Sequence, residues 1–153
     1  MQLNIVRASI NDIDLLVETR IATLRAANLL ENSVDMSLVE VQSKRYYEQC
    51  LGKDHIAYLA YDYDKVVACG GVSFFQVMPT YCNPRGKKAY VMNMFTHPDY
   101  RRRGIAAKVL DLLIDEAKQR DILEITLEAT EEGKALYEKY GFICLKDEMI
   151  LPQ

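Results

Sequence analysis

The chain has 153 residues, of which 50% are hydrophobic and 27% are charged, and its formal net charge at pH 7 is -3. This length suits one domain with a hydrophobic core and is short for two, so we expect a single domain over residues 1–153. The acidic balance argues against general nucleic-acid binding, which needs a basic face. No run approaches the roughly 18 apolar residues of a membrane helix, and no secretory pattern is visible at the N-terminus.

The first half of the chain is predicted to hold a strand, two helices and a hairpin. A short apolar strand lies around residues 3–7, and apolar residues at helical spacing follow between residues 13 and 24. A second helix is predicted to open at Ser37, where Ser37 and Glu40 fit a capping box, and to run to about residue 51. The β-type runs HIAYLAY and VVACGGVSFFQV are joined by the polar turn DYDK, which is typical of a hairpin.

The second half alternates strands and helices. The strand AYVMNMFT precedes a strong helical pattern from Arg103, and the strand ILEITLEA precedes the short helix EEGKALYEKY, which Gly141 ends. The runs FICL and MIL are expected to be closing strands. This order predicts an α/β fold with a mixed sheet, in which the strand–helix–strand unit of residues 89–129 is parallel.

The four cysteines are scattered through the chain and show neither CxxC nor Cys/His metal spacing. We therefore predict free, reduced thiols, a cytoplasmic location and no bound metal. Cys82 has no base paired with it in the sequence pattern, so a covalent cysteine mechanism is not expected.

The run RRRGIA, residues 101–106, stands between a predicted strand and a predicted helix. Backbone N–H groups are unpaired at a helix N-terminus, and the helix dipole favours anions there. Gly104 permits a backbone conformation and a close ligand approach that a side chain would block. The run fits neither GxGxxG nor GxxxxGK[ST]. A solvated basic helix start and an anion site both remain open, and the unfavourable placement of cations at this end favours a bound anion.

Arg101-x-x-Gly104-x-Ala106 resembles the R/Q-x-x-G-x-G/A signature of the GNAT superfamily of acyl-CoA N-acyltransferases. HPDYRRRGIAAKVL and LEATEEGKALYEKYGF resemble that family's motifs on the same elements, and the resemblance covers about residues 88–145. It implies a GNAT-like fold with a central twisted mixed β-sheet flanked by helices on both faces. Residues 1–87 resemble the family in layout only.

The resemblance also implies acetyl-CoA as the acyl donor. The pantetheine arm would bond like an extra strand to the main chain of Met94, Phe95 and Thr96, and a local bulge there would open the slot. The pyrophosphate would lie on backbone N–H groups at the start of the helix, with the arginine side chains adding charge. The remaining residues implied in donor binding are Arg101, Arg102, Arg103, Gly104, Ile105, Ala106 and Ala107.

Tyr137 matches a tyrosine that in many family members lies beside the sulfur and can protonate the leaving thiolate. Tyr140 is the weaker candidate because it directly precedes the glycine cap. Glu128 matches the position of a catalytic glutamate in some members, but the chain departs from their pattern, so a general base and a plain strand-end charge are both open. Asn93 either orients substrate or water, or is a satisfied core asparagine.

Of the histidines, His97 is expected to be structural, in the turn before Pro98, and His55 is given no role. Acidic Glu31 and Asp35, together with three tyrosines (Tyr46, Tyr47 and Tyr81), suggest a cationic amine as the acceptor.

The resemblance predicts an N-acetyltransferase that moves an acetyl group from acetyl-CoA to a primary amine of a small molecule or peptide by direct transfer in a ternary complex. The alternative is a non-catalytic acyl-CoA-binding sensor or regulatory module. We expect neither nucleic acid nor membrane as a partner, and the sequence leaves a homodimer open.

Overall fold

The computed structural model describes residues 1–153. It contains five strands and four α-helices, with one-turn 3₁₀ helices at Ile10–Asp12 and Pro98–Tyr100. In chain order the elements are β1 (Leu3–Arg7), α1 (Ile13–Ala27), α2 (Ser37–Cys50), β2 (His55–Asp62), β3 (Lys65–Gln76), β4 (Lys87–Thr96), α3 (Ile105–Gln119), β5 (Glu124–Leu127) and α4 (Glu131–Tyr140).

The strands form one mixed sheet in the order β1-β2-β3-β4-β5. The first three pairings are antiparallel, and β4 pairs with β5 in parallel. The predicted hairpin of β2 and β3 is confirmed, as is the parallel strand–helix–strand unit β4-α3-β5. The right-handed crossover rule for parallel strands explains why α3 must lie across one face of the sheet.

Strand alternation divides the interior into two hydrophobic cores, one on each face of the sheet. In β2, Ile56 and Ala60 contribute to the core that includes α3, whereas Ala57 and Leu59 contribute to the core that includes α1 and α2. Period-two alternation accounts for this division, since successive side chains of a strand point to opposite faces. The expected mixed sheet with helices on both faces is therefore confirmed. The helical residues of the first core are Ile105, Val109, Leu110, Leu113, Ile114, Ala117 and Tyr137.

The start of α2 corrects one local prediction. The helix begins at Ser37, but Met36 occupies the N-cap position and no side-chain cap bond is made from it. Instead the carboxylate of Asp35 accepts a hydrogen bond from the backbone N–H of Ser37 at 2.9 Å. The Ser37–Glu40 capping box is wrong because Asp35 supplies the acceptor, two residues earlier than the expected Ser37.

The expected closing strands are also wrong, because no strand follows α4. Phe142 packs against the α3-side core, but Ile143 is 85% exposed and Met149 is 94% exposed. The two apolar runs are four and three residues long, and the charged residues Lys146–Glu148 separate them. The strand propensity of these two runs is not enough to form strands, because a strand is stabilised by side-chain contacts with a neighbouring strand.

No helix in the structure combines the length and the apolar character needed to cross a bilayer. All four cysteines are free: Cys69 is buried, Cys50 is half-buried, and Cys82 and Cys144 are exposed.

Candidate active site

The parallel pair β4 and β5 separates part of the way along β4. The register joins Lys88–Val91 of β4 to Glu124–Leu127 of β5. Beyond Val91, residues 92–96 of β4 have no strand partner on that edge. Met94, Phe95 and Thr96, the expected pantetheine-binding residues, all lie in this free segment. An unpaired strand edge presents main-chain donors and acceptors to whatever lies beside it.

A β-bulge lies at this separation, as the family resemblance implies. The pairing of β3 with β4 jumps from Cys69↔Phe95 to Gly71↔Met92, so Asn93 and Met94 oppose Gly70. Asn93 has a φ of +57°, a left-handed conformation that asparagine tolerates better than most residues. A Cβ at Gly70 would lie 2.5 Å from the sulfur of Met94 and 2.7 Å from Cγ1 of Val109, so a side chain there would displace the side chains that pack against the bulge.

The N-terminus of α3 follows directly from the end of β4. Gly104 is the N-cap with a φ of +74°, and the helix has neither a side-chain cap bond nor an acidic residue in its first turn. The first intrahelical bond at this end is donated by the N–H of Lys108 to the carbonyl of Gly104 at 3.2 Å. The preceding N–H groups of Ile105, Ala106 and Ala107 therefore lack helical partners. A Cβ at Gly104 would meet no atom within 4 Å, so this end of the helix faces open space.

The three arginines before Gly104 differ in their contacts. Arg101 donates from Nε to the carbonyl of Thr96 at 3.3 Å and forms an ion pair with Glu132 at 3.4 Å. The guanidinium of Arg103 lies 5.2 Å from the ring centre of Tyr100, a cation–π contact. The side chain of Arg102 is exposed, and its φ of +60° turns the chain toward the helix. Arg102 and Arg103 are therefore freer to meet an anion than Arg101.

Tyr137 and Tyr140 lie on the same helix but in different surroundings. Tyr137 belongs to the α3-side core, its hydroxyl makes no hydrogen bond within the chain, and burial raises the pKa of its phenol. Tyr140 donates its hydroxyl to Asp111 of α3 at 2.7 Å, and its pKa is raised to about 12 by burial and by that bond. The hydroxyl of Tyr137 has no hydrogen-bond partner within the chain, whereas that of Tyr140 ties α4 to α3.

Glu128 is the first residue after β5 and is exposed. It is absent from the hydrogen bonds and ion pairs of the chain, but its charge acts on a neighbouring strand. Burial raises the pKa of Tyr90 in β4, and the negative charge of Glu128 raises it further. Because β5 ends opposite Val91, Glu128 lies at the point where the two strands part.

On the opposite face of the sheet, beneath α1 and α2, lies a cleft of about 760 Å³. Asn93 lines it, so the bulge of β4 is shared between the strand gap and the cleft. The amide oxygen of Asn93 accepts a hydrogen bond from the guanidinium of Arg20 at 3.4 Å. The main residues around the cleft are Arg20, Leu38, Tyr46, Phe75, Met92 and Asn93.

A three-residue polar cluster lines one wall of this cleft. Nδ1 of His55 lies 2.9 Å from Oγ of Ser73, and the hydroxyl of Tyr46 lies 2.7 Å from the same oxygen. Burial lowers the pKa of His55 to about 4, with the positive charge of Arg20 adding to the effect, so the ring is neutral at pH 7. Its Nε2 is buried without a partner. His55 was expected to have no role, and Arg20 and Ser73 were not among the predicted site residues, because residues so far apart in the chain carry no common motif.

The residues suggested for a cationic acceptor are not brought together. Tyr46 and Tyr47 line the cleft, but Glu31 and Asp35 do not. The carbonyl of Glu31 accepts from Arg25 at 2.7 Å, and Asp35 binds the start of α2. Tyr81 is 99% exposed in the loop between β3 and β4. Those acidic residues serve the α1–α2 connection and provide no acidic lining for the cleft.

The structure contains no group of three or more His, Cys, Asp or Glu side chains that could hold a metal ion. His97 accepts a hydrogen bond from the N–H of Asp99 at 3.3 Å, which fits the expected structural role in the turn after β4.

A mixed sheet whose fourth strand parts from the fifth, beside an uncapped helix N-terminus, defines the fold class of the acyl-CoA acyltransferases that the motifs resemble. The sequence matches the acetyltransferase (GNAT) family model over residues 24–142. The chain belongs to the GNAT acetyltransferase family, a family of acyltransferase enzymes, and the family assignment made from the motifs is confirmed.

Solved structures agree with this assignment. A predicted acetyltransferase from Clostridium acetobutylicum, crystallised with acetyl-CoA, is 33% identical with a TM-score of 0.90 over 99% of this chain and 96% of that one. A GCN5-related N-acetyltransferase from Ralstonia eutropha JMP134 is 22% identical with a TM-score of 0.79, covering 99% of each chain. At that lower identity the second likeness shows the fold alone.

A curated relative matches over a shorter segment. YafP of Escherichia coli (strain K12), an uncharacterised N-acetyltransferase, is 33% identical over 61 residues. This segment covers 40% of the present chain and 37% of YafP, so the match spans little more than a third of that protein.

Proposed function

We propose that this protein is an N-acetyltransferase that transfers the acetyl group of acetyl-CoA directly to a primary amine of a small molecule or peptide. The observation that carries the proposal is the free edge of β4, residues 92–96, which leads into the uncapped N-terminus of α3. We further place the protein in the cytoplasm, where its free cysteines would stay reduced.

The main chain would hold the donor. The free edge at Met94, Phe95 and Thr96 offers strand-like hydrogen bonds to the amides of a pantetheine arm. The unpaired N–H groups at Gly104–Ala107 suit a pyrophosphate, because they combine hydrogen-bond donors with the positive end of the helix dipole. The crystallisation of the Clostridium acetobutylicum relative with acetyl-CoA supports this choice of donor.

Transfer requires two proton movements. The lone pair of a neutral amine forms a bond to the acetyl carbon, the carbon–sulfur bond breaks, and its electron pair leaves on sulfur. The nitrogen then gives up one proton and the sulfur gains one. Holding the amine and the thioester together in one site contributes much of the rate, because it removes the entropy cost of their encounter.

Tyr137 is proposed to supply the proton to sulfur. Its phenol is unbonded within the chain, and its raised pKa keeps it protonated across the neutral range, as a proton donor requires. Glu128, at the point where β4 and β5 part, is proposed to take the proton from nitrogen, directly or through water. Its carboxylate is exposed and forms no hydrogen bond or ion pair within the chain, so a substrate amine or a water molecule can reach it.

The test is thiol release from acetyl-CoA with a panel of amines, together with the thermal unfolding of the protein in CoA. We expect CoA to raise the melting temperature by mass action, and at least one amine to stimulate thiol release with formation of the N-acetyl product. A CoA-dependent stabilisation without acetyl transfer to any amine would instead support a non-catalytic acyl-CoA-binding module. Failure of CoA to bind would remove both interpretations.

A further inference from the structure

Arg20 is a cation on the buried side of α1 without an acidic partner. It follows Leu16 and Val17 by four and three residues, and both of these are buried, so helical spacing puts Arg20 on the same face. The guanidinium is half-buried in the cleft, and its one side-chain hydrogen bond is the 3.4 Å contact with Asn93. None of the ion pairs of the chain includes it.

The surroundings of Arg20 do not neutralise its charge. Asp54 is the one carboxylate that lines the cleft, it is exposed, and it lies beyond ion-pair distance from Arg20. His55 and Tyr47 are neutral at pH 7, because burial lowers the pKa of His55 to about 4 and raises the pKa of Tyr47 to about 12. The positive charge of Arg20 acts to lower the pKa of both. A half-buried charge without a counter-charge is costly unless a ligand provides one.

The position of Arg20 limits how far an anionic group can lie from the reacting amine. Arg20 contacts Asn93, and Asn93 lies in the bulge where β4 separates from β5. The proposed donor arm runs along the same stretch of β4. In the proposed complex, an anion paired with Arg20 would therefore lie near the thioester, with an amine on the adjacent carbon within reach of the acetyl carbon. A planar carboxylate suits a guanidinium, because two parallel hydrogen bonds can form.

The rest of the cleft is apolar and only partly covered. Leu38 of α2 is 72% exposed and Phe75 of β3 is 44% exposed, and both line the cleft. Val39 and Met92 extend the same wall. Exposed apolar surface around a concave site is typical of a ligand pocket, since a bound apolar group removes it from water.

We infer that the acceptor is an α-amino acid with an apolar or aromatic side chain: its carboxylate pairs with Arg20, and its side chain covers the wall of Leu38, Phe75 and Met92. This inference rests on the proposed acetyl transfer and narrows its substrate, with the bond changes described above. Arg20 is thereby a specificity-determining residue.

The experiment compares amines that differ from phenylalanine either at the carboxylate or at the side chain. L-Phenylalanine, L-phenylalaninamide and 2-phenylethylamine share an aromatic body and a primary amine, and glycine keeps the carboxylate without the side chain. With the wild-type protein we expect kcat/KM to be highest for phenylalanine and lower for each of the other three. Equal kcat/KM for phenylalanine and 2-phenylethylamine would overturn the assignment of a carboxylate site, and equal values for phenylalanine and glycine would overturn the assignment of the apolar wall.

Variants then test Arg20 itself. Arg20→Gln should lower kcat/KM for phenylalanine by about 30-fold or more, the effect typical of losing one partner of a desolvated charge pair, and should change 2-phenylethylamine little. Arg20→Lys should recover part of the loss, because it keeps the charge without the planar fork. Arg45→Gln is the matched control. Arg45 is an exposed arginine of α2 that does not line the cleft, so its substitution removes the same charge without changing the site. Equal losses for both amines in Arg20→Gln would contradict the inference.

A binding measurement separates failure of this inference from failure of the proposed function. Equilibrium dialysis of N-acetyl-L-phenylalanine with CoA-saturated protein reports on the cleft without turnover. We expect weaker binding to Arg20→Gln than to wild type or Arg45→Gln, even if no amine is acetylated. Unchanged binding across all three proteins, at equal melting temperatures, would overturn the carboxylate assignment while leaving acetyl transfer to other amines intact.

Discussion

The two sides of the β4 bulge are built from different parts of the chain. On the donor side, the free edge of β4 and the first turn of α3 present mainly backbone groups. On the acceptor side, Arg20, Tyr46, His55 and Ser73 present side chains from α1, α2, β2 and β3. Asn93 belongs to both, since its backbone makes the bulge and its amide contacts Arg20.

The difference explains how each side constrains the sequence. A site made of main-chain groups needs small residues and a defined turn, which leave a short local pattern such as RxxGxA. A site made of side chains can change its chemistry by substitution without altering the fold, so it leaves no pattern that is common to the fold. The proposed donor therefore follows from the family, whereas the acceptor has to be inferred from the cleft of this chain.

The largest expected effect concerns Tyr137, the proposed proton donor to the sulfur of CoA. Tyr137→Phe should lower kcat by about 10²–10⁴-fold, the usual contribution of general acid catalysis, and should leave the affinity for acetyl-CoA nearly unchanged. The ring still packs in the α3-side core, whereas the missing proton is needed only as charge develops on sulfur. Single-turnover kinetics and a CoA titration measure the two quantities.

Tyr140→Phe is the matched control on the same helix. It removes the hydrogen bond to Asp111 and should cost about 1 kcal/mol of unfolding free energy without a comparable loss of kcat. A wild-type single-turnover rate in Tyr137→Phe would remove the proton-donor assignment. Equal losses in both variants would point to a displacement of α4 as the cause.

The next effect tests whether the donor side depends on backbone shape. Gly104→Ala adds a methyl group that meets no protein atom within 4 Å, so a loss of CoA affinity would report a clash with the ligand. We expect CoA to bind about tenfold more weakly, a loss of about 1.4 kcal/mol, and its thermal stabilisation to fall accordingly. Isothermal titration gives the affinity directly.

Gly52→Ala controls for the strain of a positive φ. Gly52 has a φ of +81° and equally open space around its Cβ position, but it lies in the turn after α2. Both variants should lose about 1–2 kcal/mol of stability, because alanine is strained in this conformation. If Gly104→Ala bound CoA as well as Gly52→Ala does, the proposed pyrophosphate site at this turn would be wrong.

The sequence allowed most of the fold to be predicted, because hydrophobic periodicity and turn signals are local. The β2–β3 hairpin, the parallel pair β4 and β5 and the presence of α3 all follow from such patterns, although the helical pattern was expected from Arg103 and the helix begins at Ile105. The bulge in β4 was expected from the family resemblance and not from the residues themselves, and its left-handed residue Asn93 was not identified. The closing strands failed because pairing depends on a partner elsewhere in the fold, which residues 142–151 do not find.

The acceptor cleft could not be predicted for a related reason. Arg20 and Asn93 are separated by 73 residues, and the contact between them depends on how α1 packs on the sheet. His55 and Ser73 meet because the register of β2 and β3 places them opposite each other. Negative charge near the acceptor was expected from Glu31 and Asp35 in the α1–α2 loop. The charge in the cleft is instead positive and comes from Arg20, in the middle of α1.

The smallest expected effect comes from removing side-chain charge from the donor side, which tests whether backbone groups bind the donor there. If backbone groups dominate that side, replacing Arg102 and Arg103 by Gln should weaken CoA binding only a few-fold, about 1 kcal/mol or less, as for exposed charges. The loss should be larger for CoA than for an acetylated pantetheine that lacks the nucleotide phosphates, and should shrink at high salt, where exposed charges are screened. The matched control is a double variant with Lys118→Gln and Lys139→Gln, which removes the same charge from the far ends of α3 and α4 and should leave the CoA affinity unchanged.

Equal losses for CoA and the acetylated pantetheine would assign the two arginines a structural role. A loss far above tenfold would show that side chains carry the donor side after all, and the contrast between the two sides of β4 would disappear.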